Sequence, residues 1–352
     1  MSDRPDVIVS LTGGDWVSAE RVGPKAATLA KLHGAGLPIP KGFCLTADAY
    51  RAQIASARVE EAAKRVAAAA AHEARRFALE VRLGLIRAPL ESSVAERLGT
   101  AFVRLTAEPG TLVAVRSSAL LEDSPAASFA GQFETFLGIA SPADLVTAVR
   151  GCWASLWSPR ALRYMRAHDL DPARTAMAVL IQKLVPARAA GGALSQTPEG
   201  DLLITGTWGL GSAIAQGEVV PDRFLLERDG SLARVEPGRK ERVVTCSADA
   251  GPFPRAVAAD LVGTPCLEEG EAMALGRMVL AAESTLGIPI EIEWAKDERG
   301  FHLLQARPLI VESPHVEDEM WRNHPGSEAS RQVWAGERGR RGSCSTSTTS
   351  ST

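Results

Sequence analysis

The stretch EIEWAKDERGFHLLQARP, residues 291–308, is the part of the sequence that decides the fold. Two strand-like runs flank a polar turn at residues 296–300, and this pattern predicts a β-hairpin. Because side chains alternate along a strand, Glu291 and Glu293 share one face, and Gln305 and Arg307 share one face. All four side chains point the same way if the two residue numbers of each cross-strand pair add up to an even number. The sequence alone does not fix this register.

The four side chains are of types that bind a metal ion and a phosphate group. Carboxylate and amide oxygens suit a hard cation such as Mg²⁺, and a guanidinium group suits phosphate. The hairpin is therefore a candidate for binding a nucleoside triphosphate. The alternative interpretation is a solvated strand face with weak ion pairs.

Length, charge and cysteine usage limit the class of protein. The 352 residues are enough for two domains or for one large domain with subdomains. The net charge is −3, and no basic tract with aromatic residues predicts nucleic-acid binding. No apolar run approaches the ~20 residues that span a membrane, and the first residues lack a signal pattern. The five cysteines form no C-x-x-C motif, which is typical of a reduced, cytoplasmic protein.

Periodicity along the chain predicts a mixed α/β class. The predicted helices and strands alternate loosely. Helices are predicted at 25–33, at 142–168, where two tryptophans belong to the core, and at 267–286. One or two surface helices are predicted within 47–86. The predicted strands cover 112–115, 176–185, 201–206 and 223–227, followed by the hairpin.

Three other segments carry candidate binding residues. Lys25 follows a Gly-Pro turn at a helix start, where it could reach a phosphate group; the alternative is an exposed lysine. Arg116, at the end of a predicted strand, opens a long polar loop in which Gly131 could offer backbone N–H groups to phosphate; the alternative is a structural loop glycine. Gln182 lies on an apolar strand that could hold an adenine ring or simply belong to the core. The glycine-rich run at 207–212 is a poor dinucleotide fingerprint.

In their order along the chain, these segments resemble one family: the N-terminal nucleotide-binding domain of phosphoenolpyruvate synthase and pyruvate phosphate dikinase, which rifampicin phosphotransferase shares. The resemblance covers roughly residues 10–310. The matching stretches are VGPKAATLAKLHGAGLPIPKGFCLTADAY (22–50), VAVRSSALLEDSPAASFAGQFETFLGI (113–139), TWGLGSAIAQGEVVPDRF (207–224) and IEIEWAKDERGFHLLQARPL (290–309).

The resemblance implies an ATP-grasp-type fold, in which ATP and Mg²⁺ lie in a cleft between two subdomains. The implied domain covers 10–312, with subdomains of roughly 10–190 and 191–312. The low-complexity composition near the end of the sequence predicts a disordered tail at 313–352.

The resemblance also implies roles for individual residues in the ATP cleft. Those implied at the phosphates or the phosphate loop are Lys25, Arg116, Gly131 and Thr135. Gln182 is implied at the adenine, Glu293 and Gln305 at Mg²⁺, and Arg307 as a brace for the phosphates, with Glu291 nearby and secondary. Of these, Lys25, Arg116 and Arg307 are the implied catalytic residues, because phosphoryl transfer depends on positioning and on neutralising charge.

Three departures from the family pattern bear on function. Pro24 stands where the family usually has a second glycine, and proline removes an N–H group. Residues 190–198, AGGALSQTP, replace a segment that usually carries a Phe-Thr pair. His315 and His324 lie in no stretch that resembles the family's phosphohistidine segment.

These observations leave three hypotheses. In the first, the chain is an ATP-dependent, dikinase-type phosphotransferase module that passes the β-phosphoryl group of Mg-ATP to a histidine on a separate domain or subunit, as in phosphoenolpyruvate synthase. In the second, it is a truncated fragment of a full-length phosphoenolpyruvate synthase. In the third, it is an ATP-binding subunit without catalysis. The final acceptor stays open among pyruvate, a phenol, an antibiotic and others.

Overall fold

The computed structural model describes residues 6–12, 18–121, 123–124, 127–128, 133–249 and 251–309. The strands in these ranges are β1 (Ile8–Ser10), β2 (Gly42–Leu45), β3 (Val113–Ala119), β4 (Asp123–Ser124), β5 (Ala127–Ser128), β6 (Thr135–Ile139), β7 (Met177–Lys183), β8 (Ala189–Leu194), β9 (Leu202–Trp208), β10 (Asp222–Leu226), β11 (Leu232–Glu236), β12 (Arg242–Ser247), β13 (Gly251–Ala256), β14 (Ile290–Asp297) and β15 (Gly300–Pro308). The helices are α1 (Ala19–Gly34), α2 (Ala47–Ser56), α3 (Glu60–Ala68), α4 (Ala71–Arg87), α5 (Ser92–Leu105), α6 (Pro142–Ser155), α7 (Pro159–Ala167), α8 (Ser212–Ala215) and α9 (Glu269–Leu286).

Two antiparallel sheets organise the chain, and the predicted mixed α/β class is confirmed. The first sheet has the order β1-β2-β7-β3-β6 and the second has the order β11-β10-β9-β8-β14-β15. The chain passes from the first sheet to the second between Lys183 and Ala189. The subdomain boundary near residue 190, like the outer domain limits, stays a prediction.

Strand β7 explains why its sequence reads as a continuous apolar run: both of its faces are buried. Met177, Val179 and Ile181 belong to a first core, which packs the first sheet against helices α2–α7. Ala178 and Leu180, on the opposite face, belong to a second core that also contains residues of the second sheet, α1 and α9. Helix α1 contacts β3 and β7 of the first sheet and β15 of the second.

The helix limits follow ordinary capping chemistry. Ser141 and Ser158 accept N-terminal backbone N–H groups of α6 and α7, and each is followed by a proline in the first turn. Helix α9 begins with a capping box and ends at Gly287, whose φ of 78° only glycine adopts without strain. The Ser-Pro signal at 158–159 therefore divides the segment 142–168, predicted as one helical stretch, into two helices.

Two other sequence predictions need correction. Residues 47–86 form three helices rather than one or two, and side chains such as Tyr50, Val66 and Leu85 make them part of the first core. Residues 190–198 are interpreted as a loop from the sequence, but the first of them belong to strand β8 (Ala189–Leu194), which lies between β9 and β14. Gly191 permits this pairing, since a Cβ there would collide with the Thr205 carbonyl.

The predicted core positions of Trp153 and Trp157 are confirmed, because both are almost fully buried. Their indole N–H groups donate to the Met177 carbonyl and the Tyr50 hydroxyl, respectively, so that neither buried N–H group lacks a hydrogen-bond acceptor. Cys44, Cys152 and Cys266 are buried free thiols, as predicted.

Part of the sequence predictions concerns residues that the structure does not describe. Gly131, the tail at 313–352, His315 and His324 lie outside the described residues. Among the residues that are described, no helix is both long and apolar enough to cross a membrane.

Candidate nucleotide site

The hairpin of β14 and β15 has the register that places its four polar side chains on one face. Glu291 pairs with Arg307, and Glu293 pairs with Gln305, so both sums of residue numbers are even. A bulge between Glu293 and Trp294 changes the register only beyond this point. The Arg307 guanidinium donates to one Glu291 oxygen from Nη2 at 2.6 Å and from Nε at 3.1 Å.

Arg116 reaches this hairpin from the other sheet. Its Nη1 lies 2.8 Å from the Glu293 Oε2. The prediction that Arg116 ends its strand is wrong: it sits in the middle of β3, because the strand continues through Ser117 and Ser118 to Ala119. On β3, Val113, Val115 and Ala119 face the first core, so alternation turns Arg116 towards the second sheet.

Lys25 joins this group through a kink in α1. Gly23 has φ 74° inside the helix, and a Cβ at this position would collide with the Ser118 main chain and hydroxyl. The close approach places the next helical turn against β3, where Lys25 Nζ donates to the Ser117 carbonyl at 2.9 Å. Pro24 is the first helical residue after the kink, a position that proline tolerates well.

The three cations set the electrostatics of the Glu293 carboxylate. Packing of protein around the carboxylate raises its pKa. Arg116 lowers the pKa, Arg307 and Lys25 lower it too, and together they outweigh the effect of packing, so the pKa lies below the usual range. The side chain of Glu293 keeps 51% of its surface exposed, whereas that of Arg116 keeps 12%. The group is therefore an ionised carboxylate, open to solvent on one side and surrounded by positive charge.

The other predicted residues lie around β3. Thr135, exposed at the start of β6, is the cross-strand partner of Arg116 and lines a cavity of about 250 Å³ with Ser212 and Glu218. Gln182 on β7 pairs with Ala114, two residues before Arg116. Its side chain is buried and its amide donates to the Pro40 carbonyl at 3.4 Å, so contact with a base stays a prediction.

The residues fit Mg²⁺ only with help from a bound phosphate. Among the described residues no group of three or more His, Cys, Asp or Glu side chains could hold a metal ion. Mg²⁺ commonly takes one or two carboxylates and completes its shell with water and substrate phosphates. Glu293 and the directly opposed Gln305 supply a carboxylate and an amide oxygen for such a shell.

Sequence reasoning missed two contributors to this site. The Ser117 carbonyl holds Lys25, and Gly23 makes the approach of α1 to β3 possible. Gly23 carried a detectable signal, since a glycine before Pro-Lys indicates a break in the helix. The Ser117 carbonyl carried none, because every residue has one.

Comparison with known proteins matches this chain to one domain family. The family model described as "Pyruvate phosphate dikinase, AMP/ATP-binding domain" matches residues 19–325. A phosphoenolpyruvate synthase of Aeropyrum pernix is 32% identical over 84% of this chain, and a rifampicin phosphotransferase of Streptomyces sviceus is 34% identical over 86%. The prodigiosin synthesizing transferase PigC of Serratia marcescens is 34% identical over 89%.

This chain spans only part of those relatives: 41%, 36% and 34% of their respective lengths. Among solved structures, an ADP complex of N5-carboxyaminoimidazole ribonucleotide synthetase aligns with 89% of this chain and 51% of its own, at 9% identity and a TM-score of 0.33. That score is too low to support an argument. The family model matches most of the chain. The chain therefore belongs to the family of pyruvate phosphate dikinase AMP/ATP-binding domains.

Proposed function

We propose that this chain binds Mg-ATP between its two sheets, in the manner of an ATP-grasp fold, and passes the β-phosphoryl group to a histidine on another domain or subunit. ATP, water and the histidine give phosphohistidine, AMP and phosphate. With phosphate in place of water, the products are phosphohistidine, AMP and pyrophosphate. The final acceptor of the phosphoryl group is a separate question, which depends on the partner.

One observation carries the proposal: cationic side chains from three separate segments converge on one exposed carboxylate. Lys25 comes from α1, Arg116 from β3 and Arg307 from β15, and all three lower the Glu293 pKa. A cluster of three cations suits a triphosphate, which spreads its negative charge over many oxygens. The solvent-exposed side of Glu293 leaves room for the ligand.

Each residue has a defined part in this proposal. Arg116 and Arg307 leave their carboxylate partners to hold phosphate oxygens, and Lys25 neutralises the transferring group. Glu293 and Gln305 hold Mg²⁺, with Glu291 as a further nearby carboxylate. The bound ion supplies charge neutralisation at the phosphate oxygens. Gln182 and the chain that follows it hold the adenine, and Thr135 and Gly131 border the phosphates.

The names of the relatives support the general class of the proposed reaction, which is phosphoryl transfer. Their printed names are phosphoenolpyruvate synthase, rifampicin phosphotransferase and a prodigiosin synthesizing transferase. Two of these names state group transfer, and each of the three mentions a different compound. The shared matched region is the AMP/ATP-binding domain, which is the part that this chain contains.

Labelled ATP tests the proposal directly. The chain is incubated with Mg²⁺, with proteins encoded by neighbouring genes, and with ATP labelled at either the β- or the γ-phosphorus. We expect AMP to form, and acid-labile label to reach a protein histidine from β-labelled ATP and not from γ-labelled ATP. Label transferred from the γ position would contradict the proposal.

Variants separate catalysis from binding. Glu293→Gln should lower AMP formation by about a hundredfold, since it removes the carboxylate proposed to hold Mg²⁺. Glu298→Gln, an exposed residue in the turn of the same hairpin, is the matched control and should change little. If the chain binds ATP but forms no AMP with any candidate partner, it is the non-catalytic ATP-binding subunit instead.

A further inference from the structure

A three-residue ionic cluster lies at the entry of the chain into the second sheet. Arg188 Nη2 contacts both carboxylate oxygens of Glu271, at 2.8 and 2.7 Å. Lys296 Nζ lies 2.9 Å from the same carboxylate. Glu271 stands in the first turn of α9, where its carboxylate also accepts the Glu268 N–H group at 3.1 Å. One carboxylate thus ties together α9, the inter-sheet connection and β14.

The main chain of Arg188 makes a second set of links at the same place. Its N–H group donates to the Lys296 carbonyl, and its carbonyl accepts the Gly209 N–H group, both at 2.8 Å. Gly209 opens the glycine-rich turn after β9, and its φ of 70° requires glycine. The side chain of Arg188 therefore fixes the orientation of a residue whose main chain joins two parts of the second sheet.

Along the chain, two residues of this cluster closely follow the two halves of the proposed nucleotide site. Gln182, proposed at the adenine, precedes Arg188 by six positions, and Glu293, proposed at Mg²⁺, precedes Lys296 by three. Val185 in the connection packs with Ala295 of β14 in a small apolar cluster. A rotation of the connection against β14 would thus change the separation between the base and the metal.

We propose that Glu271 is a positioning residue that locks the connection at 184–188 against β14 and so fixes the distance between the adenine and triphosphate subsites. The inference rests on the proposed function. Two subsites at a fixed separation bind a joined ligand far better than they bind its halves. Loosening the connection weakens binding of the whole nucleotide and leaves each half nearly unaffected.

Lys296 and Glu271 are only 17% and 23% exposed, so the Arg188–Glu271 pair is the part of the cluster that contributes least to stability. The Arg188 side chain is 45% exposed, and such ion pairs contribute little to folding. Helix α9 also has a second cap, in which the Glu268 side chain accepts a backbone N–H group. A change that removes only the charge of Glu271 therefore leaves the helix start intact.

Glu271→Gln makes that change, since glutamine still accepts the Glu268 N–H group of the capping box. Glu269→Gln, exposed in the same helical turn, is the matched control. Dissociation constants for Mg-ATP, Mg-tripolyphosphate and adenosine are measured by displacement of a fluorescent ATP analogue, together with the melting temperature. We expect Glu271→Gln to raise the dissociation constant for Mg-ATP about tenfold. The dissociation constants for Mg-tripolyphosphate and adenosine should change by less than about twofold, and the melting temperature by less than about 2 °C.

Other outcomes refute the inference in distinguishable ways. Unchanged Mg-ATP affinity shows that the lock has no influence on the site. A parallel loss of affinity for all three ligands with a lower melting temperature shows a purely structural residue. If Glu271→Gln does not fold, Arg188→Gln tests the same contact from the other side, with the same expectations. A wild-type chain that binds neither ATP nor tripolyphosphate overturns the proposed function itself.

Discussion

At the scale of single residues, the fully buried ion pair of Lys240 and Asp222 is a sensitive point of the fold. Both side chains have no exposed surface. Asp222 also accepts the backbone N–H groups of Gly238 and Cys266, each at 2.7 Å. Burial of two charges is costly unless they are paired and hydrogen-bonded. Here Gly238 and Lys240 come from the connection between β11 and β12, and Cys266 comes from the segment before α9.

We expect Lys240→Met to lower the free energy of unfolding by about 3–5 kcal/mol, because it leaves the Asp222 carboxylate buried without its countercharge. The double variant with Asp222→Asn should recover part of this loss, since asparagine is neutral and still accepts an N–H group. Urea denaturation of the purified variants measures both values.

Arg239→Met is the control for the preceding substitution. Arg239 is 75% exposed and pairs with Glu241 at the surface, so its loss should change the unfolding free energy by no more than about 0.5 kcal/mol. A loss of under about 1 kcal/mol for Lys240→Met would show that the pair is not needed for folding.

The candidate site shows what residue-level patterns could predict. The types of Glu293, Gln305 and Arg307 indicated a metal and a phosphate ligand, and the hairpin placed them together. The family resemblance implied only that Arg116 and Glu293 line the same cleft, and their ion pair, 177 positions apart, was not predicted. Local periodicity carries no information about such contacts, because they arise when two sheets pack.

At the scale of elements, the kink of α1 connects backbone conformation to the site. Gly23 adopts a positive φ in the helix and approaches Ser118 more closely than any side chain allows. This irregularity allows the Lys25 ammonium group to donate to the Ser117 carbonyl. A regular helix through this point would carry Lys25 away from β3.

Gly23→Ala should therefore lower Mg-ATP affinity by about tenfold and unfolding stability by roughly 1–2 kcal/mol, since alanine strains in the left-handed region and collides with Ser118. Calorimetric titration with Mg-ATP and urea denaturation are the measurements.

Gly34→Ala, at the end of the same helix, tests whether this loss is specific to the kink. A Cβ at Gly34 meets no atom within 4 Å, and alanine is the better helix former, so this variant should be neutral or slightly more stable. Equal effects of the two substitutions would contradict the role assigned to the kink.

Element boundaries show where sequence patterns lose information. The strand-like runs and turn predicted the hairpin of β14 and β15, and the structure gives it the even register that the sequence left open. The bulge after Glu293 was not predictable, because an extra residue in one strand leaves no mark on alternation over so short a run. Strand β8 was missed for another reason: its Gly191 and Gly192 are poor strand formers, and only pairing on both sides makes them extended.

At the scale of the whole molecule, both sheets contribute to the second core. The strands β2 and β7 contribute to both hydrophobic clusters: Leu45 and Val179 to the first, Cys44 and Leu180 to the second. The second cluster continues into the second sheet through residues such as Ile204 and Ile292. The predicted division near residue 190 separates the sheets along the chain, but it does not separate their cores.

This shared core makes cooperative unfolding the expected behaviour. Neither sheet can unfold alone without exposing the apolar side chains that the other sheet covers, so thermal unfolding should be a single transition with equal calorimetric and van't Hoff enthalpies. Mg-ATP at 100 times its dissociation constant should raise the unfolding free energy by about 2.7 kcal/mol and move the transition without splitting it. Scanning calorimetry with and without ligand measures both properties. Two resolved transitions, with only one shifted by Mg-ATP, would mean that the ligand contacts one sheet alone, which is incompatible with a site built from Arg116 on one sheet and Glu293 on the other.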